Sequence, residues 1–135
     1  MRTARRARYA LLATVAAAGL AGCASARVDN PAFVRDLRDH KAAEVTVRGV
    51  VTTIYPDTTG PTGPHEAFEL KVSGYLVEVD HNLSLAPRVP LAVGDVVVVH
   101  GQFNPDPGHP DIDYTHHATG RHPGGWIKRA GHRYS

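Results

Sequence analysis

The chain has 135 residues, which is enough for one domain with a modest hydrophobic core and too few for two. Its formal charge of +2 is misleading, because the first 22 residues contain four arginines and no acidic residue. The remaining 113 residues carry all 13 acidic residues and 11 of the basic ones, so their formal charge is −2 with neutral histidines. This balance gives no support to a nucleic-acid-binding domain, in which a strongly basic composition is typical.

The N-terminal segment combines a basic stretch with a short apolar run. The basic stretch contains Arg2, Arg5, Arg6 and Arg8, and no charged residue occurs from position 10 to position 20. As a helix, the apolar run would rise only about 16 Å, against a hydrocarbon core of about 30 Å, so it is too short to span a membrane. The pattern predicts a secretory signal peptide over residues 1–22 and an exported domain.

The apolar run ends in Leu20-Ala21-Gly22-Cys23. This stretch resembles the lipobox of bacterial lipoproteins, in which two small residues precede a cysteine whose thiol accepts a diacylglyceryl group. Cys23 is the only cysteine, so it has no internal disulfide partner. We therefore expect a membrane anchor through lipid on Cys23; an ordinary signal peptide with a chance cysteine is the alternative. By analogy with lipoprotein sorting, Ala24 indicates the outer membrane, facing the periplasm.

A short helix is predicted directly after the tether. Asp29 provides a capping side chain, Pro31 suits a first helical turn, and the apolar residues that follow fall on roughly one face. The pattern indicates a helix that continues to about Lys41 and packs on the domain. Residues 23–43 are therefore interpreted as a lipidated tether followed by this helix.

The sequence period changes to two from Glu44 onward, as expected for a half-buried strand. Gly49 lies in the middle of this first strand, where a glycine suits the sharp coil of a strand that serves two sheets. Residues 66–72 and 75–79 alternate in the same way on either side of the turn Ser73-Gly74. They predict a β-hairpin.

The second half of the chain contains two further predicted strands. Residues 81–91 lose the alternation and hold two prolines, so they are interpreted as a connection or a brief helix. Strands are predicted at residues 96–103 and 112–117, and Trp126-Ile127 adds apolar cover. This order predicts a mostly-β domain over residues 44–135, in the form of a five-stranded OB-like barrel. Another small barrel or a sandwich is the alternative.

Three stretches occur together in a specific pattern: His65-x-x-Phe68, His81-Asn82-Leu83-x-Leu85-Ala86-Pro87-Arg88, and Thr115-His116-His117 followed by Gly120-Arg121-His122-Pro123-Gly124-Gly125-Trp126. They resemble a family of small exported bacterial proteins that is catalogued as a domain of unknown function. The resemblance covers residues 45–134 and implies no established activity. The family pattern has an acidic residue after the paired histidines and a tryptophan before the threonine, where this chain has Ala118 and Tyr114.

Nine histidines are an unusual enrichment, since imidazole binds metals and transfers protons near neutral pH. His65, His81 and His122 each lie near a predicted strand end, so they are expected to meet at one end of the barrel with His116 or His117. Such a group would hold a divalent metal such as zinc, with a carboxylate from Asp80, Asp111 or Asp113. The alternative is that each imidazole caps a loop.

The paired histidines constrain this hypothesis. If Ile112 faces the core, strand alternation puts Tyr114 and His116 on its side and His117 on the other. Both histidines of the pair then enter one pocket only if a bulge reorients one of them. The sequence thus weakens a simple two-histidine metal site.

Four further residues are candidates for ligand binding. Arg88 and Arg121 suit a carboxylate or phosphate, although a structural arginine that ties loops together is the alternative. Trp126 is a candidate stacking surface for a base or sugar ring, or a residue that closes the core. Asn82 belongs to the motif that also contains Arg88.

The leading functional interpretation is a lipid-anchored, non-enzymatic binding or interaction module. No nucleophilic serine motif, cysteine–histidine pair or phosphate-binding glycine loop is present in the sequence. Two alternatives remain open. One is a metal-dependent hydrolase of nuclease or phosphoesterase type that uses the clustered histidines. The other is an oligonucleotide- or oligosaccharide-binding barrel that uses Trp126, Arg88 and Arg121.

Overall fold

One helix and eight strands make up the structure, a computed structural model that describes residues 26–135. The predicted signal peptide and Cys23 lie outside the described residues. The elements in chain order are α1 (Asn30–Arg38), β1 (Ala43–Ile54), β2 (Thr58–Gly60), β3 (Gly63–Val72), β4 (Tyr75–Asn82), β5 (Val96–Asn104), β6 (Asp111–Asp113), β7 (Trp126–Arg129) and β8 (His132–Tyr134).

Five of these strands close into a barrel. The strands follow the order β1-β3-β4-β6-β5, and β5 pairs with β1 to complete the circle. All neighbours are antiparallel except β4 and β6, which run parallel at Glu78 and Asp111. This arrangement confirms the predicted mostly-β, OB-like barrel with one short helix.

Strand β1 belongs to both halves of the barrel. Its residues 43–50 pair with β5, whereas residues 50–54 pair with β3 after an irregularity near Val51. A Cβ atom on Gly49 would lie 2.6 Å from the carbonyl oxygen of Lys71, which is too close for any other residue. The glycine therefore permits the close approach of β3 at the point where β1 changes partner.

The helix α1 covers one end of the barrel core. Its N-cap Asp29 accepts a hydrogen bond of 2.9 Å from the amide of Ala32, as the sequence predicts. Phe33 is fully buried and packs edge-on against Phe103 of β5, with ring centroids 5.1 Å apart. The helix ends at Arg38, slightly before the predicted end. In residues 26–135, no helix has the length and apolar character needed to cross a membrane.

Two connections follow their sequence signals closely. Ser73 and Gly74 both have positive φ, of 50° and 88°, which is the backbone of a primed hairpin turn between β3 and β4. The connection over residues 83–95 contains turns but no helix, so the brief helix considered for residues 81–91 is absent there.

Three short strands and one strand end differ from the sequence prediction. The turn-rich stretch after β1 contains β2, which pairs with the start of β3. Trp126 and Ile127 were expected only to cover the core, yet they begin β7, which pairs with β5 and then with β8. Strand β6 ends at Asp113 and not at His117, because Tyr114 adopts a left-handed backbone with φ of 56°.

Candidate ligand-binding cleft

An open cleft of about 900 Å³ lies at one end of the barrel. It is bounded by the start of β3, the end of β4, the loop after β4, and the loop over residues 114–125. Polar and aromatic side chains dominate its lining: Thr62, His65, Asn82, Ser84, Leu85, Asp113, Tyr114, His116, Thr119, Gly120, Arg121 and His122. The volume suits a small-molecule ligand.

Three imidazoles of the cleft form the same kind of hydrogen bond. The Nδ1 atoms of His65, His116 and His122 lie 2.9, 2.9 and 2.8 Å from backbone carbonyl oxygens of their own loops. A carbonyl oxygen only accepts, so each Nδ1 carries the proton and donates it. In the neutral ring, each Nε2 is then an acceptor. His65 Nε2 has a weak contact of 3.4 Å with the Thr62 hydroxyl.

His116 and His122 form the most compact part of the cleft. Their ring centroids are 4.8 Å apart, and His122 stacks on Tyr114 at 3.9 Å. His116 is 3% exposed, and this burial lowers the pKa of its imidazole. We therefore expect His116 to be neutral at pH 7, with Nε2 able to accept a hydrogen bond from a hydroxyl or amine of a ligand.

The left-handed backbone at Tyr114 changes the order of inward and outward side chains. Continued alternation would bury Tyr114 and His116 and expose Thr115. Instead, Tyr114 is 39% exposed, while Thr115 and His116 are both buried. The prediction that Tyr114 shares the side of Ile112 is therefore wrong, and His117 is exposed and lines no part of the cleft.

His81 is fully buried beneath the cleft and does not line it. Its Nε2 lies 3.0 Å from the carbonyl oxygen of Pro87, and its Nδ1 lies 2.8 Å from the hydroxyl of Thr115. Both ring nitrogens are therefore engaged within the fold. Burial also lowers the pKa of this imidazole. His81 joins the loop after β4 to the loop after β6 and has no nitrogen left for a metal.

No preformed metal site accompanies the histidines. Across residues 26–135, no three histidine, cysteine or acidic side chains are arranged to hold a metal ion. The expected set of His65, His81, His116 and His122 is not assembled as a metal site, because both ring nitrogens of His81 are hydrogen-bonded to Pro87 and Thr115. Burial raises the pKa of Asp80 and of Asp111. These carboxyls and Asp113 lie on the outer faces of β4 and β6, where they alternate with core residues, and Asp113 also lines the cleft.

Asn82 and Arg88 organise the loop after β4. Asn82 accepts from the amide of Ser84 at 2.9 Å and donates to the carbonyl of Thr62 at 3.1 Å, so it links this loop to the β2–β3 turn. Arg88 pairs with Asp57 and lies 3.9 Å from Glu66, outside the cleft. The Arg88 guanidinium holds the pKa of Asp57 below its usual range. Arg88 thus ties two loops together, which is the structural role considered as the alternative to ligand binding.

Arg121 is exposed at the rim of the cleft. In the described part of the chain, its guanidinium forms no ion pair. A guanidinium with five free donors is suited to a carboxylate or phosphate. Arg121 is therefore the residue of the cleft that is best placed to contact an anionic group.

Trp126 lies away from the cleft, at the start of β7. It is only 8% exposed, stacks on His100 at 5.5 Å between centroids, and is covered by Lys128 and Arg133. The ring is therefore packed against the protein on both faces, so it offers no free surface for stacking on a base or sugar.

The outer face of β3, β4 and β6 is acidic. Glu69 pairs directly with Glu78, and Glu78 with Asp111, while Asp80 and Asp113 continue the same face. This face corresponds to the surface with which OB barrels bind oligonucleotides. Its carboxylates would repel a phosphate backbone.

Several cleft residues carry no sequence signal for their role. Thr62, Ser84 and Thr119 are ordinary turn residues, and Tyr114 was noted only as a departure from the family pattern. The exposure of Tyr114 at the cleft follows from its left-handed backbone, which non-glycine residues adopt rarely. A tyrosine gives no warning of such a backbone, so these residues were missed.

Comparison with known proteins identifies one family. A family model described as "Protein of unknown function (DUF3465)" matches residues 19–135, in line with the resemblance to an uncharacterised family. No curated protein and no solved structure matches the chain.

Proposed function

The chain belongs to this family of unknown function, DUF3465, and from that premise we propose that it is an exported lipoprotein whose barrel binds a small ligand in the cleft. The ligand class is a hydroxylated anion, such as a sugar acid or sugar phosphate. The observation that carries this proposal is the hydrogen-bonding pattern that His65, His116 and His122 share, in which each Nδ1 is bound to a backbone carbonyl. These imidazoles line the cleft together with Arg121, whose guanidinium forms no ion pair within residues 26–135.

The cleft chemistry argues for a ligand with both donors and an anionic group. The Nε2 atoms of the three imidazoles are acceptors when neutral, and the hydroxyls of a sugar are donors that match them. Arg121 supplies the charge-assisted contact for a carboxylate or phosphate. A ligand with only one of these features would leave part of the polar lining unpaired, which lowers affinity.

A nucleic-acid ligand is less compatible with the surface charge. The acidic face, which includes Glu69, Glu78, Asp80 and Asp111, occupies the position at which OB barrels usually bind single strands. The buried ring of Trp126 also removes the stacking surface that such a ligand requires. These observations favour a small ligand over an oligonucleotide.

Ligand binding is testable with glucuronate and glucose 6-phosphate, with glucose as the uncharged comparison. We expect the two anions, in excess over their dissociation constants, to raise the melting temperature, because a ligand that binds only the folded state stabilises it. Arg121→Gln should abolish the rise in melting temperature caused by the anions. His116→Gln should lower the affinity for the anions at least about tenfold, as expected for a lost contact of about 1.4 kcal/mol.

Lys41→Gln is the matched control, since it removes an exposed cation outside the cleft. It should retain the full rise in melting temperature. An equal response to glucose and to both anions would contradict the role assigned to Arg121, and no response to any of the three would contradict the ligand class.

Hydrolysis in the same cleft is the second candidate function. His116 and His122 are in edge-to-face contact, with ring centroids 4.8 Å apart, so a phosphoester that lies beside the pair could contact one imidazole as a general base and the other as a general acid. Release of inorganic phosphate from glucose 6-phosphate in the binding experiment would favour the hydrolase. Stable binding without phosphate release would favour the binding module.

Lipidation is a separate part of the proposal and is carried by the sequence Leu20-Ala21-Gly22-Cys23. Changing Cys23 to Ser removes the thiol that accepts the diacylglyceryl group. We expect this variant to remain uncleaved and to leave the detergent phase in which the parent protein partitions. If the variant still partitions like the parent, the membrane attachment has another origin.

A further inference from the structure

A row of cations crosses the outer face of the sheet on the side opposite to the acidic strands. Arg48 of β1 is paired with Val98 of β5, Val98 with Lys128 of β7, and Lys128 with Arg133 of β8. The three cationic side chains are exposed. Strands lie about 4.8 Å apart, so the row is roughly 15 Å wide. We call this surface, defined by Arg48, Lys128 and Arg133, the basic face.

Exposed apolar residues lie in the neighbouring row of the same sheet. Val50 and Val96 are paired with each other and are 40% and 43% exposed, which is unusual for β-branched residues in a small barrel. The acidic residues nearby already have partners: Asp95 binds Arg129 at 2.6 Å, and Glu44 binds His100 at 2.9 Å. The basic face therefore keeps its positive charge next to an apolar strip.

The chain enters the domain beside this face. The amide of Asp29 donates to the carbonyl of Thr46 at 2.9 Å, and the side chain of Asn30 pairs with the backbone of Arg48 at 2.9 Å in both directions. Asp29 is only six positions after Cys23. Fully extended, this segment spans about 20 Å, which is comparable with the width of the basic face.

We propose that the basic face docks on an anionic phospholipid surface, with Arg48, Lys128 and Arg133 at the headgroups and Val50 and Val96 at the acyl boundary. This inference rests on the proposed lipid on Cys23, because that anchor brings the face within reach of the membrane. The two contacts act together: a lipid chain and a nearby cationic patch are the two signals that give stable membrane attachment.

Docking fixes the orientation of the cleft. The basic face lies on the outer sides of β1, β5, β7 and β8, whereas the cleft lies at one end of the barrel, between the start of β3, the end of β4 and the loop before β7. With the basic face on the membrane, the acidic strands face away from it, and the cleft at the end of the barrel stays uncovered. A diffusing ligand then reaches the cleft without competing with the lipid surface.

Trp126 is a built-in reporter for this contact. It is the only tryptophan, and its ring centroid lies 4.9 Å from Lys128 Nζ and 5.3 Å from Arg133 Cζ. The lipidated protein is reconstituted in phosphatidylcholine vesicles that carry brominated acyl chains, with or without phosphatidylglycerol. We expect phosphatidylglycerol to increase the quenching of Trp126 fluorescence about twofold or more. Salt at about 1 M should remove this increase, because the Debye length is then only about 3 Å.

Arg48→Glu is the informative variant, because it reverses a charge of the basic face without touching the Trp126 ring. It should lose the increase caused by phosphatidylglycerol, and Arg133→Glu serves as a second variant if the first one does not fold. Lys41→Glu is the matched control, because Lys41 is an exposed cation that lies before the start of β1 and outside the basic face. Equal quenching in the two kinds of vesicle, or equal loss in Lys41→Glu and Arg48→Glu, would overturn the proposal.

Separate measurements test the lipid anchor and the docking contact: vesicle flotation tests the anchor, and quenching of Trp126 tests the contact. A protein that does not float with pure phosphatidylcholine vesicles has no lipid anchor, and the proposed lipidation then fails. In that case the full chain is added to an excess of phosphatidylglycerol vesicles, where salt-sensitive quenching of Trp126 supports the basic face. Absence of quenching there overturns it.

Discussion

Replacing Gly125 by Ala is expected to lower the melting temperature by about 10 °C. A Cβ atom at this position would collide with the carbonyl oxygen of Tyr114 and lie 2.5 Å from that of His100, and neither backbone atom can move freely. Such overpacking typically costs about 1–3 kcal/mol, which is a large part of the stability of a domain of this size. The measurement is thermal unfolding followed by circular dichroism.

The same substitution should impair ligand binding. The amide of Gly125 donates to the carbonyl of His116 at 2.7 Å and closes the loop that also carries Arg121 and His122. Gly120→Ala is the matched control within this loop, because a Cβ atom there meets nothing within 4 Å. If both substitutions change the melting temperature equally, backbone freedom and not close packing explains the effect of Gly125.

The barrel was predictable because its strands are long and regular. Alternating β-branched and polar residues identify β1, β3, β4 and β5, and Gly49 and Ser73-Gly74 mark the coil and the hairpin turn. The β7–β8 hairpin was not predictable on this basis. Its strands are too short for a clear period, and its turn uses Ala130 at a φ of 47°, which alanine rarely adopts.

The site was predictable only as a set of loops. The sequence indicated that His65, His116 and His122 lie near strand ends, and all three line the cleft. It did not indicate that His81 is buried or that Arg88 is bound to Asp57, because both depend on partners distant in sequence. Long-range hydrogen bonds of this kind leave no local pattern. The residues His81 and Arg88 of the motif over residues 81–88 therefore hold loops in place and do not line the cleft.

The hydrogen-bond network around His81 has three contacts, but the neutral imidazole and the Thr115 hydroxyl have only two protons to donate. Nε2 must donate to the Pro87 carbonyl, so the neutral ring accepts at Nδ1 from the Thr115 hydroxyl. That hydroxyl also lies 3.0 Å from the carbonyl of Asp80 and has only one proton to give. A protonated ring would complete all three contacts, but burial favours the neutral form and lowers the pKa of His81. Burial and the hydrogen bonds thus oppose each other at this residue.

We expect the free energy of unfolding to decrease as the pH falls from 7.5 to 5.5, partly through His81. The unfolded chain protonates this residue near pH 6.5, whereas the folded chain resists protonation, so the unfolded state binds more protons below that pH. The loss is at most about 1.4 kcal/mol per pH unit for one histidine and ends at the lowered pKa of the folded state. His116 acts in the same direction. Urea unfolding at several pH values measures the slope.

His81→Gln isolates the contribution of His81 to this slope. Glutamine keeps an amide donor for the Pro87 carbonyl but does not titrate, so the variant should be less stable at pH 7.5 and less sensitive to acid. Glu66, Asp80 and Asp111 have pKa values raised by burial, which opposes the histidines as the pH falls further, but the parent and the variant share this effect. Parallel slopes in the two proteins would show that His81 does not control the acid response.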